Sequence, residues 1–330
     1  MTITIAAPTT KILYKLMEKY LLDSESLFQA AGIKKEDLND INKRISYETM
    51  QGLWEQASEL INDPCFGITG VEIWHPSDLN ALGYAWLTSS TLRTALDRFH
   101  RFLEIATGFY RLNLDETETG YELIFDFKDK ESLNMAQADA SMAIVMEMCR
   151  VNLKNSLSPV SVSVTHPQPP CHNKYFSYYG CPVYFTQNSN KIILPLEAID
   201  IPLFNSDPNL AFINDKAIIE YLSRLNKDDI VQQVKKLITE QLASSINSEQ
   251  VAQSLNMSER SMHRRLNEKG TTFKKIMQDV RIELSKLYIR NNQFNITEIA
   301  FQLGFSDSSS FSRAFKRWTG TSPAGYRNTN

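Results

Sequence analysis

Apolar residues recur every three or four positions in three stretches of the first 108 residues, which is the spacing of one face of an α-helix. These stretches are Lys11–Leu22, Tyr47–Ile61 and residues 91–108. Their apolar positions are Ile12, Leu16 and Tyr20, then Met50, Leu53, Trp54, Ala57 and Leu60, and finally Leu92, Ala95, Leu96, Phe99 and Leu103. The pattern predicts that residues 9–62 are largely helical and that a further helix covers residues 91–108.

Between residues 110 and 127 the period changes to two, as expected for strands with one buried face. Apolar side chains alternate with polar neighbours on both sides of a turn at Glu118–Gly120. The alternating residues are Tyr110, Leu112 and Leu114 before the turn, and Tyr121, Leu123, Phe125 and Phe127 after it. This arrangement predicts a β-hairpin.

One more helical stretch follows over residues 134–154, together with three short alternating segments. The segments are Val160–Val164, Val183–Phe185 and Ile192–Leu194. Helices mixed with short strands and a hairpin indicate an α+β fold, and we expect its sheet to be antiparallel.

A change of composition near residue 229 marks the candidate domain boundary. Residues 202–208 predict a loop, residues 210–225 a helix, and Asn226–Asp229 a linker. The net charge is −3, but residues 230–330 contain 15 Lys and Arg against 8 Asp and Glu, whereas the first 229 residues contain 20 against 30. We therefore predict an acidic α+β domain over 1–229 and a basic, all-α domain over 230–330, and the basic charge favours a nucleic-acid partner.

A short pattern occurs twice in the basic domain. Each copy begins with a pair typical of a capping box, Asn247 with Gln250 and Asn295 with Glu298. Each then has a short helix, a turn and a second helix. The turns are Asn256–Met257 and Gly304–Phe305, and the second helices are Ser258–Leu266 and Ser306–Trp318. Such a repeat is typical of helix-turn-helix motifs, although an ordinary helical hairpin shows it too.

The composition of the second helices favours DNA binding over a structural hairpin. Short polar side chains and arginines on an exposed helix face can contact base edges and phosphates in the major groove. The predicted outward residues are Arg260, His263, Arg264 and Arg265 in the first copy, and Ser308, Ser309, Ser312, Arg313, Lys316 and Arg317 in the second. The predicted inward residues are Met262, Leu266, Phe311, Ala314, Phe315 and Trp318.

The two motifs are joined by Thr271–Asn291, in which apolar residues again recur at three and four. The spacing predicts one amphipathic helix about 28 Å long. Such a helix can hold two DNA-binding helices about one turn of the duplex apart, roughly 34 Å. A single chain is then able to enter two successive major grooves.

Residues 296–327, ITEIAFQLGFSDSSSFSRAFKRWTGTSPAGYR, resemble the signature of the AraC/XylS family of bacterial transcription regulators. The shared elements are the Ile-Ala pair, the Gly-Phe turn, the Phe-x3-Phe-Lys core and the closing Gly-x-x-Pro-x-x-Tyr-Arg. Earlier segments (DPCFGITG, DLNALGYAWLTSSTLRTALDRFHRFL and YYGCPVYF…NKIILP) resemble the N-terminal sensing domain of one branch of the family. The chain lacks the histidine-containing β-rich pattern of the cupin barrel found in the arabinose regulator itself.

The resemblance implies which residues contact DNA. By motif position, base contacts fall on Arg260, His263 and Arg264 in the first motif, and on Ser308, Ser309, Ser312 and Arg313 in the second. Lys316, Arg317 and the helix N-termini are expected to contact phosphates. Asn256 departs from the glycine that the family usually has in the first turn, and asparagine tolerates the left-handed conformation needed there.

The acidic domain is expected to bind a small-molecule effector. The segment Trp74–Trp86 combines aromatic and polar residues, as ligand pockets do. The candidate effector-binding residues are His75, Tyr84, Trp86, Tyr110 and His172. Two alternatives remain open: these aromatic residues belong to the core, or the domain serves only for association into a homodimer.

The family resemblance favours transcription activation through contact with RNA polymerase on promoter DNA.

The chain offers little support for an enzyme. It has no HExxH, GxSxG or glycine-rich phosphate loop. Cys65, Cys149, Cys171 and Cys181 form no close pair, so we expect reduced thiols and neither a metal site nor a cofactor. A DNA-repair methyl acceptor fused to such a DNA-binding domain is the enzymatic alternative, and this cysteine spacing disfavours it.

The chain has no run of about 20 apolar residues and no basic leader. We therefore expect a cytoplasmic protein without a membrane segment.

Overall fold

A computed structural model describes residues 3–69, 71–128, 133–154, 157–225, 230–244, 246–290 and 294–329. The chain divides into two compact units, Met1–Asn214 and Asp215–Asn330. This division falls within a helix, Pro208–Leu225, about 15 residues before the predicted boundary at 229/230. The predicted linker Asn226–Asp229 lies outside the described residues.

The first unit contains nine helices and the start of a tenth among the described residues. They are α1 (Lys11–Lys19), α2 (Ser24–Ala30), α3 (Tyr47–Leu60), α4 (Phe66–Thr69), α5 (Ala81–Leu87), α6 (Leu92–Ala106), α7 (Met135–Asn152), α8 (Asn173–Tyr179), α9 (Leu196–Ile199) and α10 (Pro208–Leu225). Short 3-10 turns occupy Ala7–Thr10, Lys35–Asn39, Val71–Ile73 and Pro76–Leu79. The predicted helices over 91–108 and 134–154 are confirmed as α6 and α7.

Seven strands are described, five of which form one sheet. The strands are β1 (Thr4–Ala6), β2 (Arg44–Ser46), β3 (Tyr110–Thr117), β4 (Gly120–Phe127), β5 (Ser161–Ser163), β6 (Val183–Tyr184) and β7 (Asn190–Leu194). The main sheet has the order β3-β4-β7-β5-β6. The predicted hairpin is confirmed, with Tyr110 opposite Phe127 and Thr117 opposite Gly120. The sheet is antiparallel except for its last pair, β5 and β6, which run parallel.

The prediction that residues 9–62 are largely helical is wrong at one point. Residues 44–46 form β2, which pairs with β1 so that Ile5 lies opposite Ile45. Strands of three residues are too short to show a period, and here both isoleucines are buried.

The core of the first unit lies between α7 and the elements around it. Trp86 is fully buried, and its Nε1 donates to the carbonyl oxygen of Met148 at 2.9 Å.

Cys65 and Cys171 form a disulfide, which contradicts the expectation that all cysteines are reduced. Their separation of 106 residues explains why spacing along the chain gave no sign of the pair. Cys149 and Cys181 are free thiols.

The second unit is helical, as predicted. Its elements after α10 are α11 (Ile230–Gln241), a 3-10 turn (Leu242–Ser244), α12 (Ser248–Ser254), α13 (Glu259–Glu268), α14 (Phe273–Arg290), α15 (Ile296–Gln302), α16 (Ser308–Thr319) and α17 (Pro323–Thr329). Two helix-turn-helix motifs, α12–α13 and α15–α16, are joined by α14. None of the helices in the described part of the chain combines the length and apolarity that a membrane crossing requires.

Candidate nucleic-acid interface and ligand cavity

Reciprocal side-chain hydrogen bonds fix the start of each helix-turn-helix motif. The backbone N–H of Gln250 donates to Asn247 and the N–H of Asn247 donates to the Gln250 side chain, both at 2.9 Å. Asn295 and Glu298 make the same pair of 2.9 Å bonds at the start of α15. Both predicted capping boxes are confirmed, and they satisfy backbone donors that the first turn of a helix leaves without partners.

The two turns use the left-handed backbone conformation. Asn256 has a φ of 53° and Gly304 a φ of 70°. The second turn is also crowded, since a Cβ placed on Gly304 would lie 2.5 Å from the carbonyl oxygen of Leu242. Asparagine is therefore accommodated in the first turn, while the second requires glycine for both conformation and space.

Helix α13 is anchored by buried residues and presents polar ones. Met262 and Leu266 are fully buried, and Ser258 caps the helix by accepting from the N–H of Ser261 at 3.2 Å. The candidate DNA-contacting residues of this helix are Arg260, His263 and Arg264, of which the two arginines are exposed and the histidine is half-buried. They therefore lie together on the side of α13 that faces away from the core.

A carboxylate, that of Glu259, lies at the start of this polar face. Its oxygen is 3.5 Å from Nε2 of His263. The hydroxyl of Ser248 donates a hydrogen bond to the same carboxylate and holds the pKa of Glu259 below its usual range, with a smaller contribution from His263. Glu259 lies in the first turn of α13, where the positive end of the helix dipole also stabilises a negative charge.

Helix α16 begins at Ser308, two residues later than predicted. Asp307, not Ser306, caps the helix by accepting from the backbone N–H and the hydroxyl of Ser310, both at 2.7 Å. These hydrogen bonds hold the pKa of Asp307 below its usual range. Phe311 and Phe315 are fully buried, as predicted, whereas Trp318 is only half-buried.

The candidate DNA-contacting residues of α16 also share one accessible face. Ser309, Arg313, Lys316 and Arg317 are exposed, and Ser308 and Ser312 are half-buried. The Arg313 guanidinium lies 3.3 Å from the hydroxyl of Ser310, which turns it toward the N-terminal end of the helix. The serines occupy the first half of α16 and the two adjacent basic residues its last turn.

Two arginines join α14 to the second motif through backbone carbonyls. Arg281 donates from Nε to Leu303 at 3.0 Å and from Nη2 to Gly304 at 3.2 Å, with its guanidinium 4.7 Å from the ring centroid of Phe305. Arg327 donates to Ile289 and Phe294 at 3.2 and 2.6 Å. The role of Arg281 was missed by sequence reasoning, since an arginine within an amphipathic helix usually indicates an exposed position.

The first unit contains an apolar cavity of about 70 Å³. Residues from β1, α1, α3, α6, β3 and α7 line it, among them Trp54, Trp74, Phe99, Tyr110 and Gln137. No acidic or basic residue appears among its described lining residues. The Oε1 atom of Gln137 is buried and has no hydrogen-bond partner among the described residues. We call this space the inner cavity.

The structure does not bring the five candidate effector-binding residues together. Tyr110 lines the inner cavity, whereas Trp86 packs edge-on against Phe99 in the core. The other three lie elsewhere: His75 and Tyr84 are exposed, and Nδ1 of His172 is 3.2 Å from the carbonyl oxygen of Pro169. Gln137 was not predicted, because nothing in an apolar helical stretch distinguishes a polar residue that faces a cavity from one that faces solvent.

Comparison with known proteins gives matches in both units. The family described as "Arabinose-binding domain of AraC transcription regulator, N-term" matches residues 22–203. A second family, "Helix-turn-helix domain", matches residues 251–329, from within α12 to α17.

Individual relatives match over most of the chain or over about a third of it. The ornithine utilization regulator of Pseudomonas aeruginosa is 28% identical over 96% of this chain and 94% of its own length. The transcriptional activator PerA of Escherichia coli is 32% identical over 36% of this chain and 43% of its own length. Among solved structures, the transcriptional regulator CdpR from Pseudomonas aeruginosa is 21% identical, covers 92% of this chain and 96% of its own, and gives a TM-score of 0.45.

Proposed function

Since this chain belongs to the AraC family of transcription regulators and carries the DNA-binding helix-turn-helix domain of that family, we propose that it regulates promoters in the cytoplasm under the control of a small molecule bound to its first unit. The observation that carries the proposal is the pair of capped helices, α13 and α16, with adjacent polar and basic side chains on accessible faces. Such faces suit entry into a major groove.

Each of the two helices has a proposed set of DNA contacts. Arg260, His263 and Arg264 on α13 contact base edges, as do four residues on α16. The four are Ser308, Ser309, Ser312 and Arg313. Lys316 and Arg317 contact phosphates, which position the protein without specifying sequence.

Helix α14 sets the distance between the two DNA-binding helices. Its 18 residues span about 27 Å at 1.5 Å per residue. This length is comparable to the roughly 34 Å repeat of the duplex, so we expect α13 and α16 to reach successive major grooves. One chain then occupies two successive grooves on one side of DNA.

The first unit supplies effector control in this proposal, and activation proceeds through contact with RNA polymerase. The similarity to PerA, a transcriptional activator, supports activation. An alternative is that the first unit only associates into a homodimer, and the inner cavity with its unpartnered Gln137 favours ligand binding instead. The matched relatives are transcription regulators, and we propose that this chain likewise catalyses no reaction.

Selection of genomic fragments by the full-length protein tests the proposal. We expect enrichment of a defined sequence with two conserved segments about one duplex turn apart. The matched control carries Arg264→Ala and Arg313→Ala together, and it should retain salt-sensitive binding while losing the shared sequence. Enrichment of the same fragments by parent and control, or no sequence preference by the parent, would overturn the assignment.

A further inference from the structure

A second pocket, which we call the outer pocket, lies directly beside the inner cavity. It has a volume of about 360 Å³ and shares Leu103, Thr107 and Tyr110 with the inner cavity. These three side chains therefore form the boundary between the two spaces. A ligand larger than the inner cavity can extend across this boundary into the outer pocket.

The described lining of the outer pocket is basic. His100, Arg101, Arg111 and Lys128 line it, and no acidic residue appears among its described lining residues. Nδ1 of His100 is 2.5 Å from the carbonyl oxygen of Leu112, which can only accept, so Nδ1 carries a proton and His100 keeps Nε2 for another contact. Asp126 lies opposite Arg111 in the β3–β4 ladder but does not line the pocket.

The boundary itself offers a hydrogen-bond donor. The hydroxyl of Tyr110 has no hydrogen-bond partner among the described residues, and its ring packs against Phe125 and Phe127. Burial raises the pKa of Tyr110, so the group stays a neutral phenol that can donate. A negatively charged oxygen at the boundary can accept from Tyr110 while facing the cationic side chains of the outer pocket.

We propose that these two adjoining spaces bind a small organic monoanion, with its apolar body in the inner cavity and its carboxylate in the outer pocket. This proposal rests on the effector control proposed above and adds the chemical class of the effector. Three observations support it: apolar lining inside, cationic lining outside, and a shared tyrosine between them.

Other classes of ligand fit less well. An ammonium group in the outer pocket faces repulsion from Arg101, Arg111 and Lys128. A polyol needs several polar partners, while the hydroxyls of Thr10 and Ser141 on the inner cavity already donate to the backbone carbonyls of Ala7 and Gln137. The small inner volume favours a short alkyl chain or a single ring over a long chain.

Isothermal titration of the full-length protein with three probes of equal chain length tests the class. The probes are sodium hexanoate, 1-hexanol and hexylammonium chloride. We expect hexanoate to bind at least about tenfold more tightly than hexanol, because charge-assisted hydrogen bonds add to the apolar contacts, and hexylammonium to bind most weakly.

Three variants separate the carboxylate contacts from the apolar ones. Lys128→Gln, Arg111→Gln and Tyr110→Phe should each weaken hexanoate about threefold to tenfold and leave hexanol within about twofold. Lys34→Gln is the matched control, since Lys34 is exposed in the same unit and lines neither space. It should change neither affinity.

Equal binding of hexanoate and hexanol, preference for hexylammonium, or binding of none of the three at millimolar concentration would overturn the proposed class. Equal effects of Lys34→Gln and Lys128→Gln on hexanoate would also overturn it, since nonspecific charge would then explain the binding. The proposed DNA-binding function is judged separately by fragment selection, so a chain that selects specific DNA but binds no probe keeps its function and loses only this effector class.

Discussion

Arg281 in α14 donates a 3.0 Å hydrogen bond to the carbonyl oxygen of Leu303, the C-cap residue of α15. The carbonyls at the end of a helix have no partner within it, and Arg281 satisfies that of Leu303 together with the carbonyl of Gly304 in the turn that follows. The same guanidinium covers the ring of Phe305, which also contacts Phe311 of α16. One side chain of α14 therefore connects both helices of the second motif.

Replacing Arg281 by Ala should destabilise the second motif by about 1–3 kcal/mol, since two backbone carbonyls lose a charged donor. Arg281→Lys should recover less than half of this loss, because a single ammonium lacks the two-pronged geometry of guanidinium. Hydrogen exchange of α15 and α16, measured by mass spectrometry on the full chain, reports the effect. Lys274→Ala, at an exposed site on the same helix, is the control. Unchanged protection in Arg281→Ala would contradict the assigned role.

The two turns should respond differently to substitution. Gly304→Ala should destabilise the second unit by more than about 2 kcal/mol, because a left-handed φ disfavours alanine and the added Cβ meets the Leu242 carbonyl. Asn256→Gly should stay within about 1 kcal/mol of the parent, since glycine also adopts this conformation. Urea unfolding followed by circular dichroism measures both. Equal tolerance at the two positions would show that Gly304 is not sterically constrained.

The proposed base and phosphate contacts predict distinct binding losses. Arg264→Ala and Arg313→Ala should each weaken binding to the selected site by about 1–3 kcal/mol and relax specificity. Lys316→Ala should weaken selected and random DNA alike and lower the salt dependence by about one charge. Fluorescence anisotropy at several salt concentrations distinguishes these outcomes. Equal losses on selected and random DNA in both arginine variants would contradict base contact.

The disulfide closes a loop of 106 residues, so its removal should reduce stability substantially. Under non-reducing conditions Cys171→Ser should lower the free energy of unfolding of the first unit by about 2–5 kcal/mol, through greater freedom of the unfolded chain. Reducing agent should destabilise the parent to a similar extent and leave Cys171→Ser unaffected. Cys181→Ser, at a free cysteine, should respond to reductant like the parent. Four titratable thiols in denatured, non-reduced protein would contradict the disulfide.

His166 should make the stability of the first unit depend on pH. Burial opposes its charge, but its 3.1 Å contact with Asp139 outweighs this and raises the pKa of His166 above its usual range near 6.5. A raised folded-state pKa means that the stabilisation is complete below about pH 6.5 and disappears as the pH rises through the folded-state value. Tm measured from pH 5.5 to 8.5 should therefore fall more steeply in the parent than in His166→Gln. Parallel profiles would remove His166 as the cause.

The second unit could be predicted from sequence because its signals are local. Asn247 and Gln250 lie three residues apart, and so do Asn295 and Glu298, so each capping box is visible in a short window. The inward residues Met262, Leu266 and Phe311 follow the helical period and are all buried. Arg281 escaped prediction because its partners lie more than 20 residues away.

The candidate ligand site could not be predicted because its parts come from distant segments. Trp54, Phe99 and Gln137 belong to α3, α6 and α7, and only packing of these helices brings them to one cavity. Periodicity identifies a buried face but does not distinguish a filled core from one that leaves a space. Tyr110 was nevertheless selected from sequence, as an aromatic residue at the start of a predicted strand, and it lies between the two pockets.

The two helices that we propose to contact DNA carry different side chains, arginines with a histidine on α13 and mostly serines on the first half of α16. In the proposed binding mode, a site occupied by one chain therefore has no twofold symmetry and possesses a direction. If such a site is inverted at the same position, α13 and α16 exchange places relative to the promoter. The orientation of the binding site relative to the promoter then affects regulation, in addition to its base sequence.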